Sequence, residues 1–263
     1  MLFAYAANLN FTKEAEIIMR TLLALALEHK NALKVISGLN NFDCDHVCRI
    51  VKAAELGGAT FVDIAVDPDL VGTVRQITNL PICVSAVEPQ LFVPAVKAGA
   101  DLIEIGNFDS FYAQGIRFEA AEVLAITRET RALLPDITMS VTVPHILALD
   151  EQVQLAEALV AAGANIIQTE GGTSTKPISS GVQGLIEKAT ATLAATYAIS
   201  RAVDVPVLCA SGLSDVTVPM AISSGASGVG IGSAINQLNS EVAMVAAVRS
   251  IVEALPQVTT IRF

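Results

Sequence analysis

Residues 204–236 read DVPVLCASGLSDVTVPMAISSGASGVGIGSAIN. The apolar run Pro206–Ala210 predicts a buried strand. Ser211-Gly212 turns out of it into a short helix, and Gly228–Ile231 predicts a second buried strand that ends at Gly232-Ser233, where another helix opens. Gly212, Gly230 and Gly232 leave main-chain N–H groups uncovered by side chains, and bare amides at a helix N-terminus suit a phosphate. Two such units in succession, in the closing quarter of the sequence, predict the last two units of a phosphate-binding (β/α)8 barrel.

Working outward, strand and helix signals alternate eight times. Strands are expected at Leu33–Ser37, Thr60–Val66, Pro81–Val87, Leu102–Gly106, Ile137–Val143, Asn165–Thr169, Val205–Ala210 and Gly228–Ile231. Between them lie amphipathic helices, as in the stripes Val47, Ile50, Val51, Ala54 and Leu155, Ala158, Leu159, Ala162. The expected fold class is therefore an α/β (β/α)8 TIM barrel. An additional N-terminal helix, running from a Thr12 cap to about His29, either closes the barrel bottom or packs on its side. Residues 1–263 read as one domain, with 1–31 as the helical extension and 204–236 as the phosphate-binding half-site.

A repeat fixes the register. Gly58-Ala59, Gly99-Ala100, Gly163-Ala164 and Gly225-Ala226 each precede an even-numbered strand, as glycine C-caps do. The fifth residue past each glycine is Asp63, Glu104, Gln168 and Gly230; the seventh is Ala65, Gly106, Glu170 and Gly232. Side chains alternate along strands, so these form two inward layers. The same parity sends in Lys34, Ile36, Gly38 and Asn40 from strand 1, and Cys83, Ser85, Thr138, Ser140, Thr142, Leu208 and Ala210 from the other odd strands.

Two carboxylates in one layer need compensation in a low dielectric. Lys34 is the strand lysine with inward parity, so a buried Lys34–Asp63–Glu104 network is expected. It serves either as an acid/base set, with Lys34 able to form a Schiff base, or as a structural plug. Glu170 ends strand 6, where catalytic groups of barrels gather. It opens the loop TEGGTSTKPISSG, whose Gly171, Gly172 and Lys176 suit an anion or a closing lid. Asn40 and Asn107 fall just past strand ends as substrate-positioning candidates, and His145 is the proton-transfer candidate by intrinsic pKa. Ser211, Gly212, Gly230, Gly232 and Ser233 complete the phosphate-binding set.

At 263 residues with 52% hydrophobic side chains the chain can bury a large core, and no apolar run reaches the length of a membrane span. No signal-like block opens it. A net charge of −10 argues against nucleic acid as a partner. Cys44, Cys48, Cys83 and Cys209 give no convincing disulfide pairing, and with His29, His46 and His145 they form no metal-ligand spacing. Reduced thiols in a cytoplasmic-type compartment are expected. The apolar first helix also fits a homo-oligomer contact.

On Ser211-Gly212, Gly230, Gly232 and Ser233 the chain resembles the superfamily of phosphate-binding (β/α)8 barrels. That group includes thiazole synthase, indole-glycerol-phosphate synthase, and flavin-binding barrels such as nitronate monooxygenase. Along its length, the segments LKVISGLNNFD (33–43), VDIAVDP (62–68), IEIGNFD (103–109), VTVPH (141–145) and TEGGTSTKP (169–177) are similar to an uncharacterised family encoded in algal plastids and cyanobacteria. The resemblance implies the barrel, a cyanobacterial cytoplasm or plastid stroma, and no assigned chemistry. The expected function is an enzyme acting on a small phosphorylated metabolite by lyase, aldolase or isomerase chemistry without an obligatory cofactor. The alternatives are an FMN-dependent oxidoreductase and a non-catalytic ligand-sensing barrel.

Overall fold

The computed structural model describes residues 21–172 and 175–257. Eight parallel strands close into a barrel in sequence order: β1 (Ala32–Ile36), β2 (Phe61–Ala65), β3 (Ile82–Ala86), β4 (Leu102–Ile105), β5 (Thr138–Thr142), β6 (Ile166–Gln168), β7 (Val207–Ala210) and β8 (Gly228–Ile231). The outer helices are α2 (Cys44–Gly57), α3 (Pro68–Arg75), α4 (Pro89–Ala98), α6 (Ala120–Leu133), α7 (Leu149–Ala161), α8 (Gly181–Ile199), α9 (Val218–Ser223) and α11 (Glu241–Ala254). Two one-turn helices, α5 (Asp109–Tyr112) and α10 (Ser233–Asn236), follow β4 and β8. The TIM-barrel fold read from the alternation is the fold observed.

Local chemistry explains where the helices start. Asp43 caps α2 by accepting from His46 N at 3.1 Å, and Asp67 caps α3 by accepting from Leu70 N at 2.7 Å, with Pro68 already set for a first helical position. The helix ends carry the four Gly-Ala signals. Gly58, Gly99, Gly163 and Gly225 sit at φ of 92°, 117°, 101° and 107°, a region glycine enters without steric cost.

The repeat extends further than the glycines. An arginine on or just past a neighbouring helix clamps each of these turns. Arg249 donates to Leu56 O, Arg75 to Gly99 O, Arg131 to Gly163 O and Arg201 to Ser224 O. Two residues past three of these glycines, a side chain accepts from an amide at the start of the neighbouring odd strand. Thr60 takes Leu33 N, Asp101 takes Ile82 N and Asn165 takes Met139 N, all at 2.8–2.9 Å. This polar stitching lies at the N-terminal rim, where a barrel invests in stability.

Helix α1 is helical over residues 21–28 within the described part. Leu23 and Leu27 pack against Ala32, Phe61, Leu102, Ile166 and Leu208, the lowest inward ring of the strands. The helix therefore closes the barrel bottom. Its Thr12 cap lies outside the described residues. Strand-facing apolar residues such as Val62, Ile64, Ile103, Ile105 and Ile167 join the main core under the helices, which leaves the opposite parity for the interior.

Candidate functional site

Above the apolar bottom ring the barrel interior turns polar. Lys34 pairs with Glu104 and lies 3.5 Å from Asp63, with all three at 0–1% exposure. Ser85 Oγ donates to Asp63 at 2.6 Å. Glu104 accepts further from Ser140 Oγ at 3.2 Å, Thr142 Oγ1 at 3.3 Å and Gln168 Nε2 at 2.7 Å. The parity set by the Gly-Ala repeat puts these groups in contact.

Electrostatics decides what the cluster does. Burial works against a charged Lys34, but Glu104 and Asp63 outweigh it and hold the ammonium protonated well beyond its ordinary range. Burial pushes the Asp63 carboxyl up to about 6, with Lys34 opposing. A Schiff-base lysine needs a neutral amine open to substrate. Lys34 is sealed from solvent and paired with Glu104, an arrangement that suits the structural-plug option and gives the Schiff-base option no open amine.

The cleft lies at the C-terminal mouth, with a volume of about 470 Å³. Its floor is Ile36, Thr142, Gln168 and Ala210, of which Thr142 and Gln168 bond Glu104 of the ion-paired cluster directly. Glu170 stands on its wall and is 3% exposed. Four donors fix that carboxylate. Tyr112 Oη donates at 2.7 Å and His145 N at 3.2 Å to Oε1, Asp109 N donates at 3.0 Å to Oε2, and His145 Nδ1 lies 3.3 Å from Oε1. Burial opposes an imidazolium at His145, yet the Glu170 contact and the Asp109 charge hold its pKa above the ordinary value. Burial, then the Glu170 charge, keeps the Tyr112 hydroxyl protonated.

The element that supplies Asp109 and Tyr112 is the short α5. Phe108 is fully buried and stacks on Phe118 with ring centroids 4.7 Å apart; Phe111 meets the same ring at 5.5 Å. Aromatic packing thus holds a single helical turn over the mouth.

The glycine turns after β7 and β8 line the same cleft, and the turn after β6, which begins at Glu170 itself, packs on that of β7. A side chain at Gly172 would put its Cβ 2.3 Å from Gly212 Cα, so the two turns touch backbone to backbone. Gly172 N donates to Ser211 Oγ at 2.8 Å, and Ser211 Oγ in turn lies 3.4 Å from Asp109 Oδ2. Gly171 and Gly172 therefore shape the turn from behind. Ser211, Gly212, Gly232 and Ser233 line the cleft itself. Ser211 and Asn107, both on that lining, hold φ of 73° and 69°. Strain of this kind in a non-glycine residue persists where the surroundings enforce it, commonly at ligand sites.

Two expected positions are corrected. Gly230 is buried one layer down, where a Cβ would sit 2.8 Å from Ala210 Cβ and 3.2 Å from Ile36 Cδ1, so packing explains it and an anion has no room beside it. Lys176 is exposed on its loop and is not part of the cleft lining. Asn40 and Asn107 do line the cleft. Thr173 and Ser174 of the same loop lie outside the described residues.

The profile of a family described as "Protein of unknown function (DUF561)" matches residues 19–261. The chain belongs to that family. A DUF561 relative from Cyanophora paradoxa, "Uncharacterized protein ycf23", is 51% identical over 189 residues, spanning 72% of this chain and 77% of its own. A protein of the same description from Pyropia yezoensis is 40% identical over 195 residues, spanning 74% and 71%. Among solved structures, a 3-hexulose-6-phosphate synthase superposes with a TM-score of 0.62 at 17% identity, over 86% of this chain and all of that one. The (S)-3-O-geranylgeranylglyceryl phosphate synthase from Thermoplasma acidophilum, in complex with sn-glycerol-1-phosphate, gives 0.60 at 15% identity over 90% and 98%. These likenesses establish the barrel for the DUF561 chain.

Sequence reasoning missed Asp109 and Tyr112, which sit in a one-turn helix too short to carry a periodic signal. Among the described residues no three His, Cys, Asp or Glu side chains gather as metal ligands, and no helix is long and apolar enough to cross a membrane. All four cysteines are free.

Proposed function

We propose that this DUF561 barrel is an enzyme acting on a small phosphorylated metabolite by acid/base chemistry of the lyase, aldolase or isomerase kind. The phosphate rests against the turns Ser211-Gly212 and Gly232-Ser233, whose small residues admit a dianion close to the main chain. Glu170 is the proton-transfer group, because it is the carboxylate that stands on the cleft wall. Tyr112, the Asp109 amide and His145 are positioning residues that hold it in one orientation. Asn40 and Asn107 contact the rest of the molecule. Lys34, Asp63 and Glu104 lie below the floor and brace it through Gln168 and Thr142.

The observation that carries this reading is the pairing of an oriented, buried carboxylate with two glycine turns on one cleft at the C-terminal mouth. That is the end of the barrel where substrates of this fold bind. The ycf23 relatives support the expected compartment, cyanobacterial cytoplasm or plastid stroma.

Ser233→Glu tests the phosphate half. A carboxylate in the first turn of α10 is compatible with the fold but occupies and repels the anion site. Calorimetric titration of inorganic phosphate should show at least a tenfold loss of affinity with unchanged thermal stability. Equal phosphate binding by the variant would remove the site. For the chemistry, Glu170→Gln should abolish any solvent-deuterium exchange into a bound triose phosphate ketone while leaving phosphate binding intact.

A further inference from the structure

The polar lining of the cleft has an unusual composition. Six of its side chains are carboxamides: Asn40, Asn41, Asn107, Gln168, Asn236 and Gln237. Glu170 is the charged group on that lining, and among the described residues no lysine, arginine or aromatic ring joins it. A carboxamide offers two donors and an acceptor, as a hydroxyl offers both roles, whereas ammonium and carboxylate groups offer one role each. A surface of this kind matches vicinal hydroxyls.

The orientation of two carboxamides sharpens the match. Gln168 Nε2 faces the Glu104 carboxylate at 2.7 Å, which fixes the amide nitrogen on that side and the oxygen on the other. Gln168 Oε1 is buried, in a side chain 3% exposed, and has no hydrogen-bond donor among the described residues. An unsatisfied buried acceptor on a cleft floor is costly unless a ligand donor reaches it. Asn236 Nδ2 likewise faces inward, toward Ile36 O at 3.3 Å and Ser37 O at 3.4 Å, so its carbonyl end is the one the strand leaves unused. Gln168 Oε1 and the Asn236 carbonyl are thus the acceptors left over, and they ask for a ligand rich in donors, while Glu170, already held by its own donors, adds negative charge.

Resting on the phosphate site proposed above, we propose that the metabolite is a polyhydroxylated phosphate, a sugar or polyol phosphate, whose hydroxyls donate to Gln168 Oε1 and the neighbouring carboxamides. A second anionic group, as on a phosphorylated carboxylic acid or a diphosphate, brings only acceptors and meets the Glu170 charge. A flavin or nucleotide ring finds no aromatic wall among the described lining residues. Discrimination of this type is steep, because a site built to bond hydroxyls leaves its own groups unpaired with any ligand that lacks them.

The test is a calorimetric titration with inorganic phosphate, sn-glycerol 3-phosphate, ribose 5-phosphate, fructose 6-phosphate, 2-phosphoglycolate and flavin mononucleotide. At least one of the three hydroxylated phosphates should bind tenfold or more tightly than inorganic phosphate, and 2-phosphoglycolate should not. Asn107→Gly preserves the left-handed backbone and deletes only the carboxamide, and Asn40→Ala changes an exposed side chain. Each should lower the affinity for the hydroxylated ligand about tenfold and leave inorganic phosphate within twofold. The inference is overturned if phosphate binds but no hydroxylated member gains over it, if 2-phosphoglycolate or the flavin binds tightest, or if both variants keep the gain. Absence of binding by every member, inorganic phosphate included, sinks the underlying phosphate reading instead.

Discussion

Asp63 and Glu104 carry the same charge, lie in the same barrel layer and face the same lysine, yet removing each has a different consequence. Glu104 accepts from Lys34, Ser140, Thr142 and Gln168, whereas Asp63 holds Lys34 only at 3.5 Å and is buried with little else than Ser85. Glu104→Gln strips Lys34 of its close partner and leaves a buried ammonium underpaired. A loss of about 3–5 kcal/mol in urea unfolding is expected. Asp63→Asn leaves the Lys34–Glu104 pair neutral and intact. The Asp63 pKa is raised on folding, from the ordinary 3.8 to about 6. Between those values the folded state binds more protons than the unfolded one, so this group's stabilising contribution is present at low pH and is lost as pH rises through about 6. Unfolding free energies at pH 4 and pH 7 should therefore differ between wild type and Asp63→Asn. The wild type should lose on the order of 2 kcal/mol more on going to pH 7. Parallel pH profiles would contradict the burial of an ionisable Asp63.

The working unit among the elements is the quarter-barrel, a helix end, its glycine cap, the arginine that clamps it and the even strand that follows. Arg131 shows it most fully. Its guanidinium donates to Leu134 O, Pro135 O, Ile137 O, Gly163 O and Asn165 Oδ1, joining the end of α6 to the start of β6. Lysine offers a single nitrogen and cannot span that fan. Arg131→Lys should cost about 2 kcal/mol in the urea midpoint, since hydrogen bonds from charged groups are worth about 1.5–3 kcal/mol each and part of the fan is solvated. Arg249 makes one 3.3 Å bond to Leu56 O from an exposed position, and Arg249→Lys should stay within about 0.5 kcal/mol. Equal costs at the two sites would mean that the clamp does not hold the turn. The glycines of this unit are plain in the sequence, because the left-handed cap restricts residue type. The arginines are not, because only Arg75 and Arg201 share an offset from their caps, while Arg131 stands further back and Arg249 follows its cap in the chain.

For the molecule as a whole, a ligand that binds only the closed barrel couples the cleft to global stability. Inorganic phosphate at about 100 times its dissociation constant should add about 2.7 kcal/mol. For a chain of this size that raises the melting temperature by roughly 5–10 °C. A thermal scan with and without phosphate reads it directly, and Ser233→Glu should show no shift. A similar rise in the variant would place the anion elsewhere. The opposite mouth is closed by Leu23 and Leu27 on the bottom ring, so access to the polar interior is from the glycine side.

Periodicity and turn chemistry are local, and they determined the alternation of strands and helices, the inward parity of Lys34, Asp63, Glu104 and Gln168, and the glycine turns at the end of the barrel. These follow from the chain's own repeat, because side chains alternate along a strand and glycine alone suits a left-handed cap. Tertiary structure alone decided three things. It sealed Lys34 against Glu104, brought α5 across to orient Glu170 through Tyr112 and Asp109, and turned Gln168 so that its nitrogen meets Glu104 and its oxygen is left without a donor. The repeat's parity is enough to expect Lys34, Asp63 and Glu104 together, but which oxygen each donor reaches, as in Gln168–Glu104 across 64 positions, depends on how the strands close. No local pattern encodes that choice.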